Sequence, residues 1–198
     1  MKTISIQNKK VIDKLLNNER YINHNFLSVP SNLIEPYMEM SKYYHWQSRP
    51  IFMGIIGTYC NFGGADINNT YLIEMNIPDK YCKLQDYYAW SDYIYFSELP
   101  KECDRNIEDF RNEVLGQFDN EIYWRKDIVY QGTVPFILKD WVQNIALINQ
   151  DFIDLYNNTG GINILKSFKD LGFPLEIIYT KDTNNLDVNL NKEENIER

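Results

Sequence analysis

The side chains able to move protons or attack a bond are few in this sequence, and they stand apart. His24 and His45 are its two histidines. His24 lies in a polar stretch and His45 beside Trp46, and neither spacing pairs it with a nucleophile. Cys60, Cys82 and Cys103 are widely separated, whereas a zinc site draws two ligands from one tight turn. Thiols so placed, and odd in number, read as reduced cysteines of a cytosolic protein. The carboxylates form no pair in which one donates a proton while the other accepts. Gly63-Gly64 lacks the Lys-Ser or Lys-Thr that completes a phosphate loop, so it reads as a turn. Dinucleotide-binding, zinc-protease and calcium-loop motifs are absent.

The unusual stretch runs from Tyr123 to Val142. Polar Gln131 and Thr133 interrupt two apolar runs, with Gly132 between them. One reading is a bulged strand or a turn, because an isolated glycine in a strand pattern marks irregularity. The other is a strand end that lines a site, where a glycine lets the backbone approach closely.

The elements that would position these residues follow from periodicity. Ile4–Gln7 reads as a strand, and Asn8 caps a helix to about Asn18 with Val11, Ile12, Leu15 and Leu16 on one face. Arg20–Asn32 reads as a loop. A second helix is expected to begin near Pro36, which suits a first turn, burying Tyr37, Met40, Tyr44 and Trp46. Ile51–Ile56 is an apolar strand, and Gly57–Asn69 a loop. Tyr71–Ile77 alternates as a strand with Tyr71, Ile73, Met75 and Ile77 on one face. Gln85–Ser91 reads as a helical turn, and Asp104 caps a helix to about Phe118. Val129–Gln131 and Val134–Leu138 are strand-like with a break near Gly132-Thr133. Asp140–Ile148, Asp151–Tyr156 and Ile162–Leu171 are expected as helices, the last ended by Gly172, and Leu175–Thr180 as a strand. Mixed order without strict alternation of strand and helix predicts a single α+β domain over residues 1–181 with a small mixed or antiparallel sheet. The acidic, Asn-rich residues 182–198 are expected to be disordered.

Composition narrows the function classes. The net charge of −8 repels a phosphate backbone, so charge-driven nucleic-acid binding is not expected. No apolar run approaches the roughly 20 residues of a membrane span, and the first residues carry no signal-like apolar stretch. The expectation is a cytoplasmic protein. Aromatic residues make up 15% and 15 of them are Tyr, which suits a core with wet edges or a binding surface.

Three segments carry a resemblance. They are Thr3-Ile4-Ser5-Ile6-Gln7 with its helix, the run Tyr71–Ile77 through Pro78-Asp79 to Asp86 and Trp90, and Gln131-Gly132-Thr133. Together, over about residues 3–145, they resemble a family of uncharacterised small bacterial proteins with a "TIQ" opening, a "V-P-D … SD-x-x-x-W" centre and a late "Q-A-T-F" strand. That order is in turn similar to compact ADP-ribosyltransferases, among them DNA-targeting toxins of toxin–antitoxin systems. The resemblance implies an ADP-ribosyltransferase-like fold, NAD as a substrate, no metal, and a protein or nucleic-acid acceptor. It places Gln7, or Ser5, at the early polar position, Gln131 at the late Gln, and Trp141-Val142 at the closing pair. Gln131 and Thr133 then stand at the catalytic strand, and Gln7, Arg49 and Tyr59 at the cofactor. Arg49 would grip a pyrophosphate with both arms of its guanidinium and Tyr59 would stack on a ring.

The family's late-strand Glu falls on Thr133, which cannot act as a carboxylate. Such chemistry needs one, because an oxocarbenium-like ribose is stabilised and an acceptor deprotonated. Glu74, Glu121 or Glu176 would have to supply it from another element, or the activity has been lost. The competing expectation is a non-enzymatic binding module. A small acidic, Tyr-rich protein can cover a basic partner, as inhibitors and antitoxin-like proteins do.

Overall fold

The computed structural model describes residues 1–62, 67, 70–95, 106, 108 and 128–181. Gly63-Gly64, Cys103, Glu121, residues 123–127 and the tail from 182 lie outside the described residues, as does almost all of the expected helix from Asp104.

The first strand, β1 (Lys2–Asn8), runs directly into α1 (Lys9–Asn18). Asn8 makes the change of direction: its Oδ1 accepts from Val11 N at 3.1 Å, satisfying one amide that the first helical turn leaves free. Val11, Ile12 and Leu15 are buried on one face, as their spacing predicts. Then come β2 (Arg20–Ile22), α2 (Ser31–Tyr43), β3 (Ile51–Ile55), β4 (Tyr59–Cys60), β5 (Thr70–Asn76) and β6 (Lys83–Asp86). After them follow α3 (Tyr87–Ile94), β7 (Tyr130–Val134), β8 (Phe136–Leu138), β9 (Val142–Leu147), α4 (Gln150–Thr159), β10 (Ile162–Asn163) and β11 (Glu176–Thr180).

Seven strands form one sheet in the order β11-β9-β5-β1-β3-β7-β6. Every pairing in it is antiparallel. The architecture is a single α+β domain whose main sheet is larger than the small one expected. Two short ribbons, β2 with β8 and β4 with β10, flank it.

Directly paired residues share a sheet face, and the two faces are covered differently. One carries Ile51, Met53, Ile73, Met75, Val134 and Ile145 against α1. The opposite face has two separate covers. Ile4, Leu72 and Ala146 lie under Phe152 of α4, Ile162 and Phe168. Met40 of α2 and Trp90 and Tyr93 of α3 form the second cluster, with Phe52 of β3 packed on it.

Several elements differ from the periodicity. The expected loop Arg20–Asn32 contains β2, whose partner β8 lies over a hundred residues away, and the start of α2. That helix begins at Ser31 behind Pro30, which makes no side-chain cap bond. The usual polar signal is therefore missing, and Pro36 sits inside the helix. The expected loop Gly57–Asn69 holds β4, paired with β10. Gln85 belongs to β6; the helix after it is capped by Asp86, which accepts from Tyr88 N.

Gly132 and Thr133 do not interrupt β7, which pairs in unbroken register with both β3 and β6; the break falls at Pro135. Asp140–Ile148 is mainly strand β9 rather than helix, with Val142, Ile145 and Ala146 buried between β5 and β11. Ile162–Leu171 is a short strand and a 3-10 turn over Phe168–Leu171. Ile162 and Ile164 are buried while Asn163 and Leu165 are exposed, an alternation of period two. Gly160 (φ 67°) ends α4 and Gly172 (φ 84°) ends the 3-10 turn, in left-handed conformations that favour glycine.

Candidate functional site: a cleft through the sheet

The site begins with a defect in strand pairing. β1 pairs with β5 along seven residues, from Lys2↔Asn76 to Asn8↔Thr70. With β3 it pairs only at Thr3↔Ile55 and Ile4↔Gly54, plus a bond from Ile56 N to Lys2 O. Continuing that register would set Ile6 opposite Phe52. Instead the Phe52 carbonyl receives the Ser5 hydroxyl at 3.0 Å, and the Ser5 hydroxyl also accepts from Gln7 Nε2 at 2.9 Å. Beyond this side-chain bridge the two strands diverge.

A cleft of about 800 Å³ opens at the divergence. Residues from both sheet faces line it: Ile6, Phe52 and Gln131 from one, Gln7, Ile51 and Met53 from the other. A surface groove would show one face only, so the cleft enters between the strands. Aromatic rings furnish one wall. Phe52 stacks on Trp90 with centroids 5.7 Å apart, and Tyr37 lies 5.1 Å from Phe52. At the far wall Asn61 and Phe62 are fastened to α4, where the Tyr156 hydroxyl accepts from Phe62 N and donates to Asn61 Oδ1.

Arg49 is the cation of the described lining, which contains no carboxylate. Its backbone N–H donates to Asn23 O at 2.7 Å and its Nη1 to the Ser28 hydroxyl at 2.9 Å. The buried Nε has no acceptor among the described residues. Tyr37 and Tyr21 stand close enough to feel the guanidinium. Burial raises the pKa of both phenols above the usual value, and the Arg49 charge opposes that rise. Thr70, 6% exposed, lines the cleft from β5, and its Oγ1 is a second buried polar atom without a partner among the described residues.

Of the residues singled out from the sequence, Gln7, Arg49 and Gln131 meet on this cleft. Gln131 is 4% exposed and its Nε2 donates to Gln85 Oε1 at 3.2 Å. Thr133 lies outside the lining, fully buried, its hydroxyl donating to Lys83 O at 3.3 Å. Tyr59 is elsewhere: its hydroxyl donates to Thr159 O at 2.7 Å and its ring packs on Gly161. Ser5 lies at the root of the cleft. Trp141 stacks on Phe136, away from it. Glu74 accepts from Asn144 and Ser167, and Glu176 stands on β11, the sheet's edge. Sequence reasoning missed Thr70, Tyr37, Phe52 and Trp90 as cleft residues. They come from β5, α2, β3 and α3, elements brought to one cleft by tertiary packing that no local pattern encodes.

The histidines take no part. His45 caps a turn at φ 57°, and the His24 ring contacts Gln47 O. Among the described residues no cluster of His, Cys, Asp and Glu could hold a metal, and no helix is long and apolar enough to cross a membrane. Searches with this chain return no matching family model, curated protein or solved structure.

Proposed function

We propose that this protein is a cytoplasmic, ADP-ribosyltransferase-like binder of NAD, holding the dinucleotide in the cleft between β1 and β3. One observation carries the reading: Arg49, Gln7 and Gln131 line the same cleft as the Phe52–Trp90 stack. A planar base favours aromatic faces, amides read its edge, and a guanidinium grips phosphate oxygens. Opening on both sheet faces, the cleft has room for an extended ligand rather than a single ring.

The transfer step is less well supplied than the binding step. A ribosyl transfer needs a carboxylate near the ribose, and none stands among the described lining residues. The test separates the two. A thermal-shift titration with NAD, with NADP and ATP as controls, is expected to give a saturable, NAD-selective rise. A flat response at millimolar NAD removes the reading. Nicotinamide released during long incubation with NAD and candidate acceptors would mark a transferase; its absence alongside tight binding marks a binder.

The same lack of a carboxylate favours a second reading, a non-enzymatic acidic module that covers a basic protein partner. The net charge of −8 then steers association, so binding in a pull-down weakens as salt rises. A partner indifferent to salt counts against it.

A further inference from the structure

The geometry points to a phosphoryl-binding subsite at the mouth of the cleft, formed by Arg49 on one bank and Thr70 on the other. The inference rests on the nucleotide-cleft reading above and states where the anionic part of such a ligand sits. Its basis is a pair of unsatisfied groups. Buried polar atoms are nearly always bonded, and an unbonded one costs about 1–3 kcal/mol. Among the described residues three side-chain atoms break that rule: Thr3 Oγ1, Arg49 Nε and Thr70 Oγ1. Two of the three residues line this cleft.

Register places the pair at the same end. Thr70 is opposite Asn8, the last residue of β1. Arg49 precedes Pro50, the residue that Asn8 would face if β1 and β3 stayed paired. Arg49 therefore lies on the β3 side of the open end, and Thr70 on β5, one strand beyond the β1 side. The orientation of Arg49 is fixed by Ser28 at Nη1 and Asn23 at its backbone. That leaves the edge formed by Nε and Nη2, the one that holds two oxygens of a phosphate side-on. The hydroxyl of Thr70 can donate to a third oxygen. No described lining residue is a carboxylate that would compete for the guanidinium or repel the anion.

Thr3 supplies the control. It lies at the paired end of the seam, opposite Ile55, and is outside the lining. The probe is inorganic pyrophosphate, followed by the midpoint of thermal unfolding, with sulfate at matched ionic strength alongside. The wild-type midpoint is expected to rise saturably. Arg49→Lys, which keeps the charge but loses the fork, and Thr70→Val, which keeps the shape, are each expected to weaken that effect about tenfold or more. Thr3→Val should not. Because the Thr70 hydroxyl has no partner among the described residues to lose, the unliganded Thr70→Val midpoint is expected to stay level or rise. If Arg49→Lys fails to fold, Thr70→Val against Thr3→Val carries the test.

No saturable response to pyrophosphate, a response that sulfate reproduces, or equal responses from all three variants overturns the subsite. Pyrophosphate binding that depends on Thr70 without any NAD effect would sustain the subsite and defeat the NAD reading. NAD binding untouched by Arg49→Lys and Thr70→Val would do the reverse.

Discussion

Gly132 has no space for a side chain. A Cβ there would stand 2.8 Å from Cys82 Sγ and 3.1 Å from Met53 Cγ. Gly132→Ala is therefore expected to destabilise by about 1–3 kcal/mol, the usual effect of overpacking. Adding Cys82→Ala should recover part of the loss, since residues in contact couple; urea denaturation of the single and double variants measures this. Burial pushes the Cys60 and Cys82 thiols up to about 12. The folded state thus holds protons that the unfolded chain releases near pH 9. That stability is complete below the unfolded pKa and declines as pH rises toward 12, by up to about 1.4 kcal/mol per pH unit per thiol. At neutral pH both thiols should resist alkylation until the protein unfolds. Gln131 has a structural part as well as a site. Gln131→Ala leaves the buried Gln85 amide without its donor and is expected to cost about 1–3 kcal/mol, so its ligand binding must be compared at equal fraction folded.

Elements with a local signal were the ones legible in the sequence. β1 with its Asn8 cap, α1, β3, β5, α4 and β11 each carry a periodicity or a cap within their own residues. What stayed hidden depends on distant partners: β2 on β8, β4 on β10, and β9 on strands to either side. The site was legible to the same extent. Gln7, Arg49 and Gln131 stood out by residue type, whereas Thr70 and the aromatic wall became visible only through the failed pairing of β1 with β3. At this scale Asn149 joins two elements. Its Oδ1 caps α4 through Phe152 N at 3.1 Å, and its Nδ2 donates to Pro174 O at 2.9 Å just before β11. Asn149→Ala should cost about 1–2 kcal/mol, more than Asn8→Ala, whose side chain makes the cap bond but, among the described residues, no second one. Chemical denaturation of the two variants side by side tests the ranking.

For the molecule as a whole, the first strand of the chain is the middle strand of its sheet. The sheet therefore cannot be completed until β9 and β11 have found β5, a non-local order of assembly that slows folding. The outer edge at β11 is irregular: the register shifts between Ile177 and Tyr179, leaving Ile177 and Ile178 both partly exposed. A bulge of this kind twists an edge strand away from further pairing.

The short ladder between β1 and β3 also divides one face of the sheet mechanically. On that face β5 and β9 lie under α4, and β3 under α2 and α3. Among the described residues two pairs, the Ile56 N–Lys2 O bond and the Ser5–Phe52 bridge join the two sides within the sheet, while on the opposite face one continuous core under α1 spans both. The two covers can therefore loosen separately while the shared core holds. Native-state hydrogen exchange should then give α4 and the α2–α3 pair opening free energies of their own, with the strand amides over the α1 core sharing one higher limit.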